Sequence, residues 1–196
     1  MYLTDEQREK QPLLESRNII TTPPECNYAM FREMEWALEY ARHNSNKLRP
    51  LVRVAGDGGD SGYAFGIGEL IQDANAFTVL LGSAYSSHVI IWASGGQRFI
   101  YDTALLGIHS SGIYVPTDSR LTEHDFITHA RNCQVVDKST AILFSSCCLN
   151  KKYNVSWWYK KIREHRDATY NISGAEVLDK FDMANHASLI TDLRKI

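Results

Sequence analysis

The chain has 196 residues, 44% of them hydrophobic and 22% charged, with a formal net charge of −2. That length suits one domain, and that composition suits a soluble globular fold. The near-zero charge gives no basic field for nucleic acid or an anionic membrane, no apolar run reaches the roughly 20 residues of a membrane helix, and the charged start MYLTDEQREK has no apolar centre of the kind a secretory signal needs.

In chain order, residues 1–11 are polar, and SRNIITT at 16–22 predicts a strand closed by Pro23 and Pro24. Residues 27–44 carry Met30, Phe31, Met34, Ala37, Leu38 and Ala41 at helical spacing. LRPLVRVAG at 48–56 predicts a second strand, GDGGDSG at 56–62 a glycine-rich turn, and 63–74 a helix. AFTVLLG at 76–82 predicts a buried strand, followed by GSAYSSH at 82–88 and the helical VIIWASGG. QRFIY and TALLGIHSS predict short strands; 121–147 predicts one long helix with much polar surface, and 154–166 another. Alternation of strand and helix in the first half indicates an α/β unit with a parallel sheet.

Several constellations could carry chemistry. GDGGDSG lacks the lysine and spacing of a phosphate loop, and as a calcium loop it fails because Gly68 stands where glutamate is needed. It is either a tight turn or a set of backbone N–H groups able to hold an oxyanion. In GSAYSSH, a serine where a buried strand passes into a helix lies at the carboxyl end of the sheet, where open α/β sheets place their ligands; a helix cap is the plainer reading. His109, at the end of another apolar strand, can reach the same crevice as a base. His88 is two residues beyond Ser86 and points away from it, so its removal is expected to matter much less than removal of His109. His129 and Cys133 are one helical turn apart, but no second pair completes a metal site. Trp157, Trp158 and Tyr159 are expected to pack the helix or meet another subunit. Four cysteines without a CxxC pair, two of them the neighbours Cys147 and Cys148, are expected as reduced thiols of a cytoplasmic protein.

Taken together, these stretches resemble the ClpP-type serine peptidases, the proteolytic subunits of the caseinolytic machinery. The family's glycine loop, nucleophile stretch, GKRF strand and MIHQP stretch look like Gly56-Asp57-Gly58-Gly59, Gly82 to His88, Gly96-Gln97-Arg98-Phe99 and Gly107-Ile108-His109-Ser110-Ser111. His165-Arg166-Asp167 before Ser173-Gly174-Ala175-Glu176 is similar to the family's ERD before its SAxEA helix start. The resemblance covers about residues 13–183 and implies a short N-terminal arm at 1–12, a single domain at 13–196, and a repeated β-β-α superhelix shared with crotonases, with a protruding handle helix at about 121–147. It implies a serine endopeptidase acting on peptides or unfolded proteins with Ser86 as nucleophile, His109 as base and Asp167 as the orienting acid. Gly59 and Ser87 would form the oxyanion hole, and the substrate would lie as a strand along Asp60, Ser61 and Gly62 on one side and Ser110, Ser111, Gly112 and Ile113 on the other. No cofactor or metal is implied. The implied partners are copies of the chain in two stacked heptameric rings, and an AAA+ unfoldase or ClpP subunits of a host.

The chain departs from the family at named points. Asp57 replaces a proline, and Tyr85 and His88 replace small residues. Asp167 stands two residues farther from Ser173 than the family spacing, and an ungapped alignment puts Thr169 in its place. The arm before Leu13 is shorter than the family's, which weakens the case for unfoldase coupling. A catalytically inactive ring subunit, a crotonase-like acyl-CoA enzyme and an interaction module built on the long helix are the rival expectations.

Overall fold

The computed structural model describes residues 18–43, 48–112, 120–166 and 168–190. The N-terminal arm at 1–12, Ile113 and Asp167 lie outside the described residues.

The first strand, β1 (Ile19–Thr21), is followed by the two-residue β2 (Glu25–Cys26) and helix α1 (Tyr28–His43). Then come β3 (Leu51–Gly56), β4 (Gly58–Gly59), α2 (Ser61–Asp73), β5 (Phe77–Tyr85), α3 (Ser87–Ala93), β6 (Gln97–Ile100) and β7 (Leu105–Ile108). The second half holds α4 (Glu123–Cys147), α5 (Val155–Glu164), β8 (Tyr170–Ser173), the single turn α6 (Gly174–Glu176), a π-helical turn (Val177–Phe181) and β9 (Asn185–His186).

The protein is therefore α/β with a mostly parallel sheet. Its strands run β1-β3-β5-β6-β9, all parallel, and among the described residues only the β7–β8 pair is antiparallel. Parallel strands covered on both faces must be apolar on both sides. In β5, Phe77 and Val79 join one core cluster with Leu51 and Phe99, while Leu80 and Ala84 join the main cluster with Val52 and Val54. Thr78, buried among them, satisfies its hydroxyl by donating to the Trp92 carbonyl at 2.7 Å.

β5 is longer than its sequence suggests and does two jobs. Its first half, from Phe77 to Val79, pairs with β6, and its second, from Ser83 to Tyr85, pairs with β7. Between them the register against β3 slips, from Val54 opposite Leu80 to Gly56 opposite Ala84, and Gly82 takes a φ of 73°. Extra residues on one strand of a pair bend it and re-aim the chain beyond them. The strand expected to stop at residue 82 therefore runs on to Tyr85 and delivers Ser86 to the end of β7.

The long helix α4 changes character along its length. Its buried residues, Asp137, Thr140, Ala141, Phe144 and Cys147, all lie in the C-terminal part. There Phe144 meets Trp158 of α5 edge to face at 5.2 Å, and Trp158 is fully buried, as expected of a packing residue. Toward the N-terminus Phe126, Ile127 and Val135 are exposed. No helix among the described residues is long and apolar enough to cross a membrane.

Candidate active site

The glycine loop between β3 and α2 packs on the start of α3. Gly58 and Gly59 have φ of 114° and 133°, which side chains rarely tolerate. A Cβ on Gly59 would lie 2.2 Å from the Cys26 carbonyl oxygen, and one on Gly58 would lie 2.7 Å from Ser86 Cβ. Two consecutive residues of α3 clamp this loop. Ser87 Oγ donates to the Gly59 carbonyl at 2.6 Å, and His88 Nδ1 accepts from the Gly58 N–H at 3.2 Å. On its other side His88 Nε2 donates to the Pro23 carbonyl at 2.8 Å. A carbonyl only accepts, so His88 is the neutral Nε2–H tautomer. It is fully buried, and burial holds its pKa below the usual histidine range, against the smaller opposing effects of the Pro23 bond and the charge of Asp57. The sequence places His88 correctly as a residue turned away from Ser86, but it gives no sign of this clamp. A buried ring bonded at both nitrogens is expected to matter for stability, apart from the smaller effect on catalysis expected of it relative to His109.

Gly58→Ala is expected to damage both the backbone and the placement of Ser86, because it adds a methyl at positive φ against that side chain. We expect a stability loss of about 1–3 kcal/mol and a fall in the rate at which a fluorophosphonate labels Ser86. Thermal melts and labelling kinetics of the purified variant check both.

Ser86 sits at the N-cap of α3 with φ 51° and ψ −120°, an uncommon backbone conformation for a residue with a side chain. Its N–H donates to the Gly107 carbonyl at 2.8 Å, which pins the turn to β7. Its hydroxyl makes no cap hydrogen bond. Serine at this position ordinarily caps the helix with that oxygen, so the plainer explanation of the residue fails. A strained strand-to-helix turn that presents an uncommitted hydroxyl is the device by which α/β-hydrolases expose a nucleophile.

His109 follows β7 and is half-buried. Ser86 and His109 line one small cavity of about 20 Å³, walled by Ile90, Ile108, Val136 and Thr140. Among the described residues no hydrogen bond joins the two side chains. Catalytic hydrogen bonds are often long before substrate arrives. His109 Nδ1 donates to the Ser110 carbonyl at 2.8 Å, so in the neutral ring Nε2 is left as an acceptor.

The remaining expected residues fall into place unevenly. Gly59 and Ser87 are brought together by the 2.6 Å hydrogen bond. Ser111 lines the cavity, and Gly112 is exposed beside it. The other lip differs from the extended edge expected at 60–62. Asp60 is the N-cap of α2, its carboxylate accepting from Gly62 N–H at 2.7 Å and Tyr63 N–H at 3.3 Å, so Ser61 and Gly62 are already in the helix. Helical backbone at Ser61 and Gly62 cannot pair with a substrate strand, which corrects the assignment of those two as a strand-binding edge and leaves only Asp60, with φ −74° and ψ 120°, extended. Asp57 is exposed, so its charge is turned to solvent. The methyl of Thr169 approaches Gly107, close to Tyr85.

Two residues of the region were not expected. Asp137 of α4 is 1% exposed and receives Ser110 Oγ at 2.7 Å, the Ser111 N–H at 2.7 Å and Arg163 Nη1 at 3.2 Å. Arg163 comes from α5. Burial, with the charge of Asp60 second, pushes the Cys26 thiol up to about 12; burial also raises Cys133, Cys147 and, to about 11, Cys148. All four are free. Among the described residues no three His, Cys, Asp or Glu side chains converge on a point that could hold a metal. No family model matches the chain, and no curated protein matches it.

Proposed function

We propose that the protein is a ClpP-type serine endopeptidase that cuts peptides or unfolded proteins inside a chamber of its own subunits. The observation that carries this reading is Ser86: a serine at a strained strand-to-helix turn, its hydroxyl committed to no cap, on the same cavity as His109.

In this reading Ser86 Oγ attacks the peptide carbonyl while His109 Nε2 takes its proton. The oxyanion that forms is received by the N–H groups of Gly59 and Ser87, and in comparable sites one such donor contributes about 3–4 kcal/mol. His109 then returns the proton to the leaving amine, and water releases the acyl group by the reverse sequence. The resemblance implies Asp167 as the third member, whereas His109 Nδ1 here donates to the Ser110 carbonyl. The substrate would lie as an added strand at Gly112, because the N–H groups of Ser110 and Ser111 are already bonded to the His165 carbonyl and to Asp137. The test is labelling with a fluorophosphonate followed by peptide mapping: modification on Ser86 supports the reading, and an intact Ser86 under conditions that label other serine hydrolases overturns it.

The proposal includes assembly. Phe126, Ile127 and Val135 stand 58%, 44% and 64% exposed on the first half of α4. Apolar surface of that kind calls for a partner, and a symmetric copy is the common one. Stacked rings, most simply heptameric, would cover it and enclose the active sites, with an AAA+ unfoldase or host subunits as further partners. Native mass spectrometry is expected to find a closed multiple of the 22.3 kDa chain. A monomer at micromolar concentration that still cleaves peptides would remove the chamber from the proposal.

A further inference from the structure

We propose that Asp137 is a positioning residue for His109, acting through Ser110; this rests on the peptidase reading above. A carboxylate is rarely buried unless paired and hydrogen-bonded. Asp137 is buried to 1% on a helix whose neighbouring positions 134, 135 and 138 are exposed, so something specific draws it inward. Its partners are the two residues next after the base. Oδ2 accepts from Ser110 Oγ and Oδ1 from the Ser111 N–H, both at 2.7 Å, and the Arg163 guanidinium balances the charge at 3.2 Å.

Ser110 is thereby held from three directions. Its N–H donates to the His165 carbonyl at 3.3 Å, its hydroxyl to Asp137, and its own carbonyl accepts from His109 Nδ1 at 2.8 Å. The first two anchors, with the Ser111 N–H of the same peptide unit bonded to Asp137 Oδ1, fix the direction of the carbonyl. With them, it selects one imidazole tautomer and one ring orientation, the task an orienting acid performs in a triad. Here a backbone carbonyl performs it, and Asp137 supplies the rigidity from one layer farther out. The charged and titratable groups that face this network are His109, Arg163, Arg166, His165 and the Cys133 thiol beside Asp137.

The test compares wild type, Asp137→Ala, Asp137→Asn and Ser110→Ala on a fluorogenic peptide, with melting curves for each. Displacing a catalytic group by about 1 Å can lower a rate about 100-fold. Asp137→Ala is expected to lower kcat by about that factor with KM changed less than about threefold. Asp137→Asn keeps an acceptor for Ser111 and a hydrogen bond to Ser110, and is expected to recover most of the rate although Arg163 loses its charge partner. Recovery by Asn is the readout that a purely structural ion pair would not give. If Asp137→Ala does not fold, Ser110→Ala decides: it removes one hydroxyl, and kcat should fall about tenfold at unchanged KM. Equal kcat in wild type and folded Asp137→Ala, Asn no better than Ala, or an unchanged Ser110→Ala overturns the inference while active wild type leaves the peptidase reading standing. A wild type that neither labels nor cleaves overturns both.

Discussion

Ser86→Ala is expected to bring peptide cleavage down to background, a loss of about 10⁴-fold or more, with folding and assembly intact. In the proposed mechanism the size comes from covalent catalysis. Without the nucleophile only binding and oxyanion stabilisation remain, and members of a serine–histidine pair act as a unit. Folding should survive because the hydroxyl caps nothing and the turn is set by the Ser86 N–H to the Gly107 carbonyl, which alanine retains. His109→Ala should be almost as severe, and the double variant no worse than either single one. Steady-state cleavage of a fluorogenic peptide, beside a melting curve, checks all three. Unchanged turnover in pure Ser86→Ala, or losses that multiply in the double variant, would show that the two residues do not form one catalytic unit.

The features legible in the sequence were local. Apolar periodicity gives α1 and α4 to within a residue or two, and alternation of strands and helices gives the parallel sheet. The serine at a strand-to-helix junction and the histidine at a strand end were visible, and the structure places them on one cavity. The features that could not be read were made by distant pairing. β2 and β4 are two residues each and exist because Cys26 pairs with Gly59. β5 continues past Gly82 because β7 is there to receive it, whereas glycine and serine in sequence signal a turn. The bonds of His88 cross 30 and 65 residues of chain. Asp137 did leave a trace. It lies four residues before Ala141, three before Thr140 and seven before Phe144, in the buried stripe of α4. An acid in the stripe a helix buries calls for a partner, even when the surrounding sequence is polar.

The second large effect concerns His88 and acid. His88→Ala removes a fully buried ring and leaves the Gly58 N–H and the Pro23 carbonyl without their partner. Cavity and unsatisfied groups together should lower stability by about 3–5 kcal/mol. The pH dependence has a definite sign. Burial depresses the pKa of His88 in the folded protein, so the unfolded chain binds the proton first as pH falls. The stabilisation from the neutral ring is full above the unfolded value of about 6.5. Below it, that stabilisation is lost at up to about 1.4 kcal/mol per pH unit until the folded pKa is reached. The charged ring would also carry an N–H at Nδ1, where the Gly58 N–H now donates, so the glycine loop and its N–H groups would part from α3 as the proton binds. Urea melts between pH 8 and pH 5, at fixed protein concentration, should show wild type weakening through this window and His88→Asn weakening less, the other histidines cancelling in the difference. Identical slopes for the two proteins would mean that the imidazole of His88 does not set the acid stability of the loop that faces Ser86.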